Sequence, residues 1–565
     1  MKKIHYLILC CLVGLLASCD KDTDAVNFAP DVTTGGATDI FRKGATLSGK
    51  IQFAGESSAQ DYGILVSEYP SMAEPTEYPI TTGETDYKIR VQSLSPDRVY
   101  YYCAYANSGY STARGDINSF QTTESNAPVF GEVVVDSIGS GSVRVTATII
   151  DDGGVTPIIS GFCWREGSSG VPTLIDNVVN VLDATGNTMT AVITGLTPLT
   201  DYVIAAYSVN SKGMGFSQGT SVQTEKGPGI YSLEDLVAFR DARNAGEDVS
   251  RWKTSDGIIN VFADIDLSPI ENWEPISQIL DDEVFEGNNH TISNLNISFK
   301  ATETFGFYYI GFISINEGSI SGLHFKEGII EISSIPDGDR IWCGTVCGRN
   351  FHSIVNCSSN VNILSSQGDN FCGGICGYNH SYISTSTNRG LIKFLSKGYT
   401  GCGIAGDMGP VYETDRPLVE NCENYGTISA DSCYYASGIT WAFGGIKHTK
   451  ITNCNNYGNV YASSAAGIGE AFEISNCINY GDVEGIIGSI SGTVGGITPL
   501  LIDNWILQKC SNKGNISGGH TCGGIVGRIT SNFVGIYNGN INEGIVRGEA
   551  AHIGNNIGID ERGSN

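Results

Sequence analysis

The sequence predicts an all-β chain: two small sandwich modules, then a right-handed parallel β-helix whose first coil lies under a capping helix. Three observations predict it. Short β-rich runs separated by Gly, Ser, Asp and Pro turns fill residues 30–224 in two similar blocks. A capped amphipathic stretch follows Ser232. From residue 357 onward one short motif keeps returning at intervals of 23 to 36 residues, the range of solenoid repeats.

The chain opens on an export signal, residues 1–18. Met1-Lys2-Lys3 leads into an apolar run from Ile4 to Leu16 and then Leu16-Ala17-Ser18-Cys19, too short a run to span a bilayer permanently. A cysteine directly after Leu-Ala-Ser resembles the bacterial lipobox. That resemblance implies that the preceding peptide is removed and that Cys19 is the lipid attachment site. Several acyl chains anchor stably where one binds only marginally. An ordinary signal with a chance cysteine is the plainer alternative. Residues 19–29 form an acidic tether, and Asp20-Lys21-Asp22-Thr23-Asp24 looks like the tethers that send lipoproteins of some Gram-negative groups to the outer face. It equally fits a solvated linker. The expected location is the cell outer membrane, lipid-anchored and exposed at the surface.

About 547 residues remain after the signal, too many for one core. The formal charge of −27, with only 33 Lys and Arg, opposes binding to a polyanion, because such binding rests on basic residues displacing counterions. Nucleic acid is excluded as a main partner. The acidity suits solubility at a crowded surface.

Two modules follow the tether, over 30–124 and 125–225. Runs such as Ala45-Thr46-Leu47-Ser48-Gly49-Lys50-Ile51 and Tyr62-Gly63-Ile64-Leu65-Val66 are spaced as in an all-β sandwich. Leu94-Ser95-Pro96-Asp97-Arg98-Val99-Tyr100 is echoed by Leu196-Thr197-Pro198-Leu199-Thr200-Asp201-Tyr202. A tyrosine at that point can turn its hydroxyl back onto the corner backbone, as in Ig-like sandwiches. On these residues the blocks resemble fibronectin type III domains. The second, continuing Val203-Ile204-Ala205-Ala206-Tyr207-Ser208-Val209-Asn210, is the closer match, and the first departs after Ala106. The resemblance implies a spacer or interaction module and no chemistry of its own.

Residues 226–257 read as a linker and capping helix, with Ser232 as N-cap, Asp235 at the third position, Leu236 and Phe239 on one face and Asn244-Ala245-Gly246 at the end. Then come Ile258-Ile259-Asn260-Val261-Phe262, Asn272-Trp273-Glu274-Pro275-Ile276 and Phe285-Glu286-Gly287-Asn288-Asn289-His290-Thr291-Ile292. This run resembles the opening of bacterial surface β-helix domains with GLUG-type repeats, in which a helix caps the first coil. His290 sits in a stretch that reads as a turn between stacked strands, with no catalytic company.

The β-helix is expected over 258–565. Its motif is clearest in Cys422-Glu423-Asn424-Tyr425-Gly426, Cys454-Asn455-Asn456-Tyr457-Gly458, Cys477-Ile478-Asn479-Tyr480-Gly481 and Cys510-Ser511-Asn512-Lys513-Gly514. Counting weaker copies, it starts at 357, 386, 422, 454, 477, 510 and 540. Between copies lies a second element such as Phe371-Cys372-Gly373-Gly374-Ile375-Cys376-Gly377 or Cys522-Gly523-Gly524-Ile525-Val526-Gly527. Units this short, without helical periodicity, fit coils of a parallel β-helix. Asn and Gly tolerate left-handed backbone, so the Asn-Tyr-Gly column reads as corner chemistry. About ten coils at about 4.8 Å each make a rod on the order of 50 Å. Its ends need covers, and residues 555–565 contain no obvious cap.

Seventeen cysteines are present: two in the signal, Cys19, and 14 others, of which 12 lie between Cys343 and Cys522. The pairs Cys343/Cys347 and Cys372/Cys376 invite a zinc reading. Residues four apart on a strand are separated by about 13 Å, while zinc needs sulfurs within about 4 Å of one another. The columns Cys343, Cys372, Cys522 and Cys422, Cys454, Cys477, Cys510 read instead as buried thiols stacked up the core. Disulfides between neighbouring coils are geometrically allowed. No metal or other cofactor is expected.

Parallel β-helices host polysaccharide lyases and glycosidases, which work with grouped carboxylates or a basic residue. Here no charged residue recurs at one position of successive coils, and no catalytic residue is assigned. The two longest repeat intervals hold Asp407-Met408-Gly409-Pro410-Val411-Tyr412-Glu413-Thr414-Asp415-Arg416-Pro417 and Asp503-Asn504-Trp505. Loops on rigid scaffolds carry binding, so Tyr412 and Trp505 are the candidate ligand-binding residues. The sequence favours a non-enzymatic, lipid-anchored adhesion or ligand-binding protein, with a surface glycan or host protein as partner. The alternatives are a carbohydrate-active β-helix enzyme and a structural subunit of a surface assembly.

Overall fold

In the strand Ser142–Asp151 the side chains of Val143, Val145, Ala147 and Ile149 are buried while those between them face water. That is the period of two expected when one face of a sheet rests on a core. The structure, a computed structural model, describes residues 29–562 apart from 53–60, 110, 182–186, 302–305, 335–337, 367, 397, 431–432, 444–446, 487–491 and 548–551. The signal segment, Cys19 and the tether up to residue 28 lie outside the described residues. The chain divides after Gly227 into two compact units.

The first unit holds two sandwiches built to one plan. Strands Asp31–Phe41, Gly44–Gln52 and Asp86–Val91 form one sheet of the first. Thr76–Pro79, Asp61–Ser67 and Val99–Asn107 form the other, with Thr112–Arg114 and Asn118–Gln121 both paired to Val99–Asn107. The second sandwich repeats this with Val134–Ile138, Ser142–Asp151 and Thr188–Thr194 against a sheet centred on Ile159–Glu166 and Asp201–Asn210. Both are fibronectin type III-like, so the departure after Ala106 lies in the sequence and not in the strand plan. The Tyr100 hydroxyl accepts from the Ser95 N–H at 2.9 Å, and the Tyr202 hydroxyl accepts from the Thr197 N–H at 3.0 Å. Those are the two tyrosine corners.

The second unit begins with a helix over Leu233–Ala245. Ser232 Oγ accepts from the Asp235 N–H at 3.2 Å, and the helix ends on Gly246 at φ 72°, a left-handed conformation that costs glycine little. Its buried face, Leu236, Phe239 and Ala242, covers the first coils, with the Phe239 ring tilted against Phe285 at 5.9 Å and edge-on to Trp252 at 5.7 Å. Arg243 pairs with Glu283 at 2.6 Å. Burial works against the Glu283 charge, but hydrogen bonds from Arg243, the Leu280 N–H and Lys253 outweigh it and hold the carboxyl below its usual range.

Behind the helix stands a parallel β-solenoid of about 9 turns. Five columns of strands start at Ile258–Asn260, Ile265–Asp266, Ile276–Ile279, Leu295–Lys300 and Phe307–Ile310, and later coils pair in parallel register with these. One column is interrupted: it runs from Ile276–Ile279 to Gly469–Glu470, and a separate sheet takes its place from Thr498–Leu501.

The repeat motif is built differently from the sequence reading in one respect. The left-handed residues are those just before the cysteine, Asn421, Asn453 and Asn476 at φ 54° and Lys509 at φ 55°. The corner chemistry therefore sits three residues before the asparagine of the Asn-Tyr-Gly column. In that column the asparagine is fully buried and its amide runs along the rod. Asn388 Nδ2 donates to Asn424 Oδ1 at 2.9 Å, and the chain continues through Asn456, Asn479 and Asn512 to Asn542 at 2.7–2.8 Å. Each Nδ2 also donates to the glycine carbonyl two residues on. A Cβ on Gly458 would lie 1.9 Å from the Gly426 oxygen, so close approach of coils, not positive φ, calls for glycine there. Tyr425, Tyr457 and Tyr480 point out between them, with ring centroids 4.5 and 4.7 Å apart and planes within 7°.

The cysteine columns are as expected. Cys343, Cys372 and Cys522 share a core column that starts at Ile310, runs between them through Gly401, Ala436, Ala465 and Val494, and ends at Ile553. All 14 cysteines from Cys103 to Cys522 are buried free thiols. Burial pushes the thiols of Cys357, Cys402 and Cys522 up to about 12. At the other end of the rod Ile553, stacked on Cys522, stays 47% exposed. No later strand of that column follows it among the described residues.

Candidate aromatic cleft on the solenoid

The two residues singled out as ligand contacts part company. Tyr412 is 69% exposed on the loop after Ala405–Met408, where Asp415 Oδ2 accepts from the N–H groups of Val411 and Tyr412 at 2.9 Å each. Trp505 is 2% exposed and belongs to the solenoid core. Its interval in the sequence is long, but the indole turns inward, so it offers no face to a ligand. Asp407 is not a loop residue either; it lies on the strand and is buried.

A different row of rings faces outward. In the column that begins with Phe307–Ile310, Tyr309, Trp342, Phe371, Thr400 and Tyr435 are in register on the side away from the core. Arg349, Tyr378 and Asp407 hold the matching position in the neighbouring column. Only two residues join these columns in each coil, as between Arg340–Gly344 and Cys347–Asn350. The two outer faces therefore turn toward each other and form a cleft along the rod. Trp342 stacks on Phe371 at 5.3 Å and on Tyr378 at 5.5 Å, with planes within 14°. The row goes on through Tyr399, 4.8 Å from Phe371, to Phe443, 5.2 Å from Tyr399.

Glycine decides how tightly the cleft closes. Gly348, Gly377 and Gly406 follow the paired positions Cys347, Cys376 and Ala405. A Cβ on Gly377 would lie 2.5 Å from the Trp342 carbonyl carbon, and one on Gly348 would lie 2.5 Å from that of Tyr309. The next three coils place Trp441, Glu470 and Pro499 there, and glycine returns at Gly527 and Gly558. Where glycine is missing the column is interrupted and a cavity of about 500 Å³ opens, lined by Tyr434, Tyr435, Trp441, Phe443, Glu470, Pro499 and Arg528 among others. Tyr435, Trp441 and Phe443 form an apolar cluster separate from the solenoid core.

The closed stretch carries its own electrostatics. Burial pushes the Asp407 carboxyl up to about 7, against a long contact from Trp342 Nε1 at 3.5 Å and the Met408 N–H at 2.8 Å. Arg349 Nε donates to His380 Nε2 at 2.9 Å, and His380 Nδ1 reaches the Gly409 carbonyl at 2.6 Å. Both ring nitrogens are thereby engaged in the neutral tautomer, in line with burial pushing this imidazole down to about 4. His380 has no free nitrogen for proton transfer. His290 lies 3.2 Å from Asp264 of the preceding coil, on the surface. Among the described residues no group of three or more His, Cys, Asp or Glu is arranged to hold a metal ion. The members of each Cys-x3-Cys pair occupy different columns, Cys343 with Cys372 and Cys347 with Cys376, whose sulfurs are 3.8 Å apart.

No protein-family model matches the chain. No curated protein matches it. Among solved structures, a two fibronectin type-III domain segment from chicken tenascin is similar over 34% of this chain and 98% of its own length, with 17% identity and a TM-score of 0.20. Fold and cleft define the class: an all-β protein of fibronectin type III-like sandwiches and a parallel β-solenoid with an aromatic cleft on its outer face.

Proposed function

We propose that this is a lipid-anchored cell-surface protein of the outer membrane that binds a surface glycan or host protein without converting it. In this reading residues 1–18 direct export and Cys19 carries the lipid. The sandwiches serve as spacers, and the solenoid, which resembles GLUG-repeat domains, carries the ligand site. The observation that supports binding is the cavity at the end of the packed ring row that runs from Tyr309 to Phe443, where the Tyr434 ring is exposed. Aromatic faces at a partly wetted surface are what recognition sites use.

A binding assay of the purified full chain against polysaccharides and host-surface proteins, with new reducing ends and unsaturated products followed in parallel, tests it. Binding without product is the expected result; turnover refutes it. Fatty-acid labelling of cells should mark the wild-type protein and leave Cys19→Ala unlabelled. One observation favours the enzyme reading: a buried carboxyl held up to about 7, as Asp407 is, has the proton affinity of a general acid at neutral pH. Turnover that disappears in Asp407→Asn would establish that alternative.

A further inference from the structure

We propose that Tyr425 and Tyr457 are an oxidative cross-linking site, at which a one-electron oxidant of the haem-peroxidase class joins two coils of the solenoid through a dityrosine bond. This goes beyond the binding function and does not depend on it.

The buried amide line sets a ladder of phenols on the outside of the rod. Asn424, Asn456 and Asn479 are fixed to one another, so the tyrosine after each is held in register at the surface. Tyr425, Tyr457 and Tyr480 are between 36% and 39% exposed. Their rings lie 4.5 and 4.7 Å apart and are parallel to within 7°. Other tyrosine pairs lack this geometry: Tyr62 and Tyr87 stand 5.6 Å apart at 57°, and Tyr399 and Tyr435 stand 5.8 Å apart at 55°.

The groups around the ladder select one pair. Arg389 lies over the Tyr425 ring at 4.3 Å and Lys513 over that of Tyr480 at 5.4 Å. A cation over a ring holds its π electrons more tightly, so the middle ring, Tyr457, gives up an electron most readily. Partial burial, and then Glu423, push the hydroxyls of Tyr425 and Tyr457 up. Both phenols keep their protons at neutral pH, and oxidation must take a proton with each electron. Tyr425 has the acceptor at hand, since its hydroxyl donates to Glu423 Oε2 at 3.0 Å. The Tyr480 hydroxyl has no carboxylate partner among the described residues. Tyr425 is therefore the ring that couples to Tyr457.

Each of the two rings loses one electron and one proton and becomes a phenoxyl radical. The rings point out from the coils, which lets them tilt until the carbons beside the two hydroxyl-bearing carbons meet. A carbon–carbon bond forms there, and the hydrogens it displaces move as protons to the oxygens and restore both phenols. Two electrons and two protons have left in all, and they reduce one hydrogen peroxide to two waters.

The test treats the full chain, dilute enough to keep molecules apart, with a haem peroxidase and hydrogen peroxide, and maps tryptic peptides by mass spectrometry. The peptide that ends at Lys447 should appear joined to the one that begins at Ile451, with the blue fluorescence of dityrosine. Tyr457→Phe keeps the ring and the stack but has no hydroxyl to oxidise, and the joined peptides should vanish; Tyr425→Phe should lose them likewise. Glu423→Gln should slow coupling several-fold, while Tyr412→Phe, on an exposed loop, should leave it unchanged. Thermal melting of each variant before treatment separates lost coupling from lost folding. Joined peptides undiminished in Tyr457→Phe, dityrosine formed only between separate chains, or oxidation of Tyr412 with no dityrosine at all would each overturn the site. A link from Tyr457 to Tyr480 in place of Tyr425 would overturn the choice of pair and the part given to Glu423.

Discussion

The cleft has a shut stretch and an open stretch on one backbone frame, and a single residue per coil separates them. At Gly348, Gly377 and Gly406 the columns touch, and Trp342, Phe371 and Tyr378 pack on one another to fill the angle. At Trp441, Glu470 and Pro499 the same position carries bulk, the columns part and the rings line a cavity. A repeat protein repeats for stability, since each coil buries its apolar face only on its neighbours. The place where the repeat breaks its own rule is thus where a site is to be sought.

The largest effect should come from forcing the shut stretch open. Gly377→Leu sets a side chain against Trp342 and Cys343 backbone that cannot move aside, and a loss of more than about 4 kcal/mol is expected in denaturant titration. A near-neutral result would show that the shut stretch is not held by backbone contact. Next in size is Asn456→Ala in the buried amide line. It strips an acceptor from Asn424, a donor from Asn479 and a donor from the Gly458 carbonyl, which should cost about 2–4 kcal/mol. A loss under about 1 kcal/mol would mean the line is incidental.

Asp407→Asn should stabilise, and only at higher pH. The folded state raises this carboxyl from 3.8 to about 7, so the fold holds its proton more tightly than the unfolded chain does. Below about pH 4 both states are protonated and the variant should melt with wild type. As pH rises from about 4 to 7 the wild type loses stability, and above that the variant should lead by up to about 4 kcal/mol. Equal melting at pH 8 would contradict burial as the cause. The smallest effect belongs to Tyr457→Ala: a ring outside the core, stacked on two others, is worth less than about 1 kcal/mol.

Much of the fold was legible because it rests on local rules. Ser232 and Gly246 bound the helix, Tyr100 and Tyr202 mark the sandwich corners, and the cysteine spacing gives the columns their register. The corner residue was misplaced because Asn421 and Asn424 are both asparagine, and composition does not tell a left-handed backbone from a buried amide. Trp505 was misjudged for a related reason, since the length of an interval says that residues leave the strands but not which way a ring points. The cleft was overlooked although a signal exists. Ile375, Ile404, Ile439, Ile468, Ile497 and Ile525 align the coils, and the second residue after each reads Gly, Gly, Trp, Glu, Pro, Gly. That these residues face another column, and not water, follows only from the acute join between the sheets.

The asparagine line has an electrical consequence. From Asn388 onward one N–H of each asparagine amide in the line points toward the following coil, so the amide dipoles add head to tail instead of cancelling as they do across paired strands. The shorter line from Asn316 through Asn350 to Asn379 points the same way. In a dry interior such aligned amides polarise one another and strengthen each link. The rod is therefore polar along its axis, with its positive sense toward the last coil. There Asn542 turns its amide onto the carbonyl and side-chain oxygens of Asn555 at 2.8 and 3.0 Å, so the final donor meets two acceptors where the stack gives out.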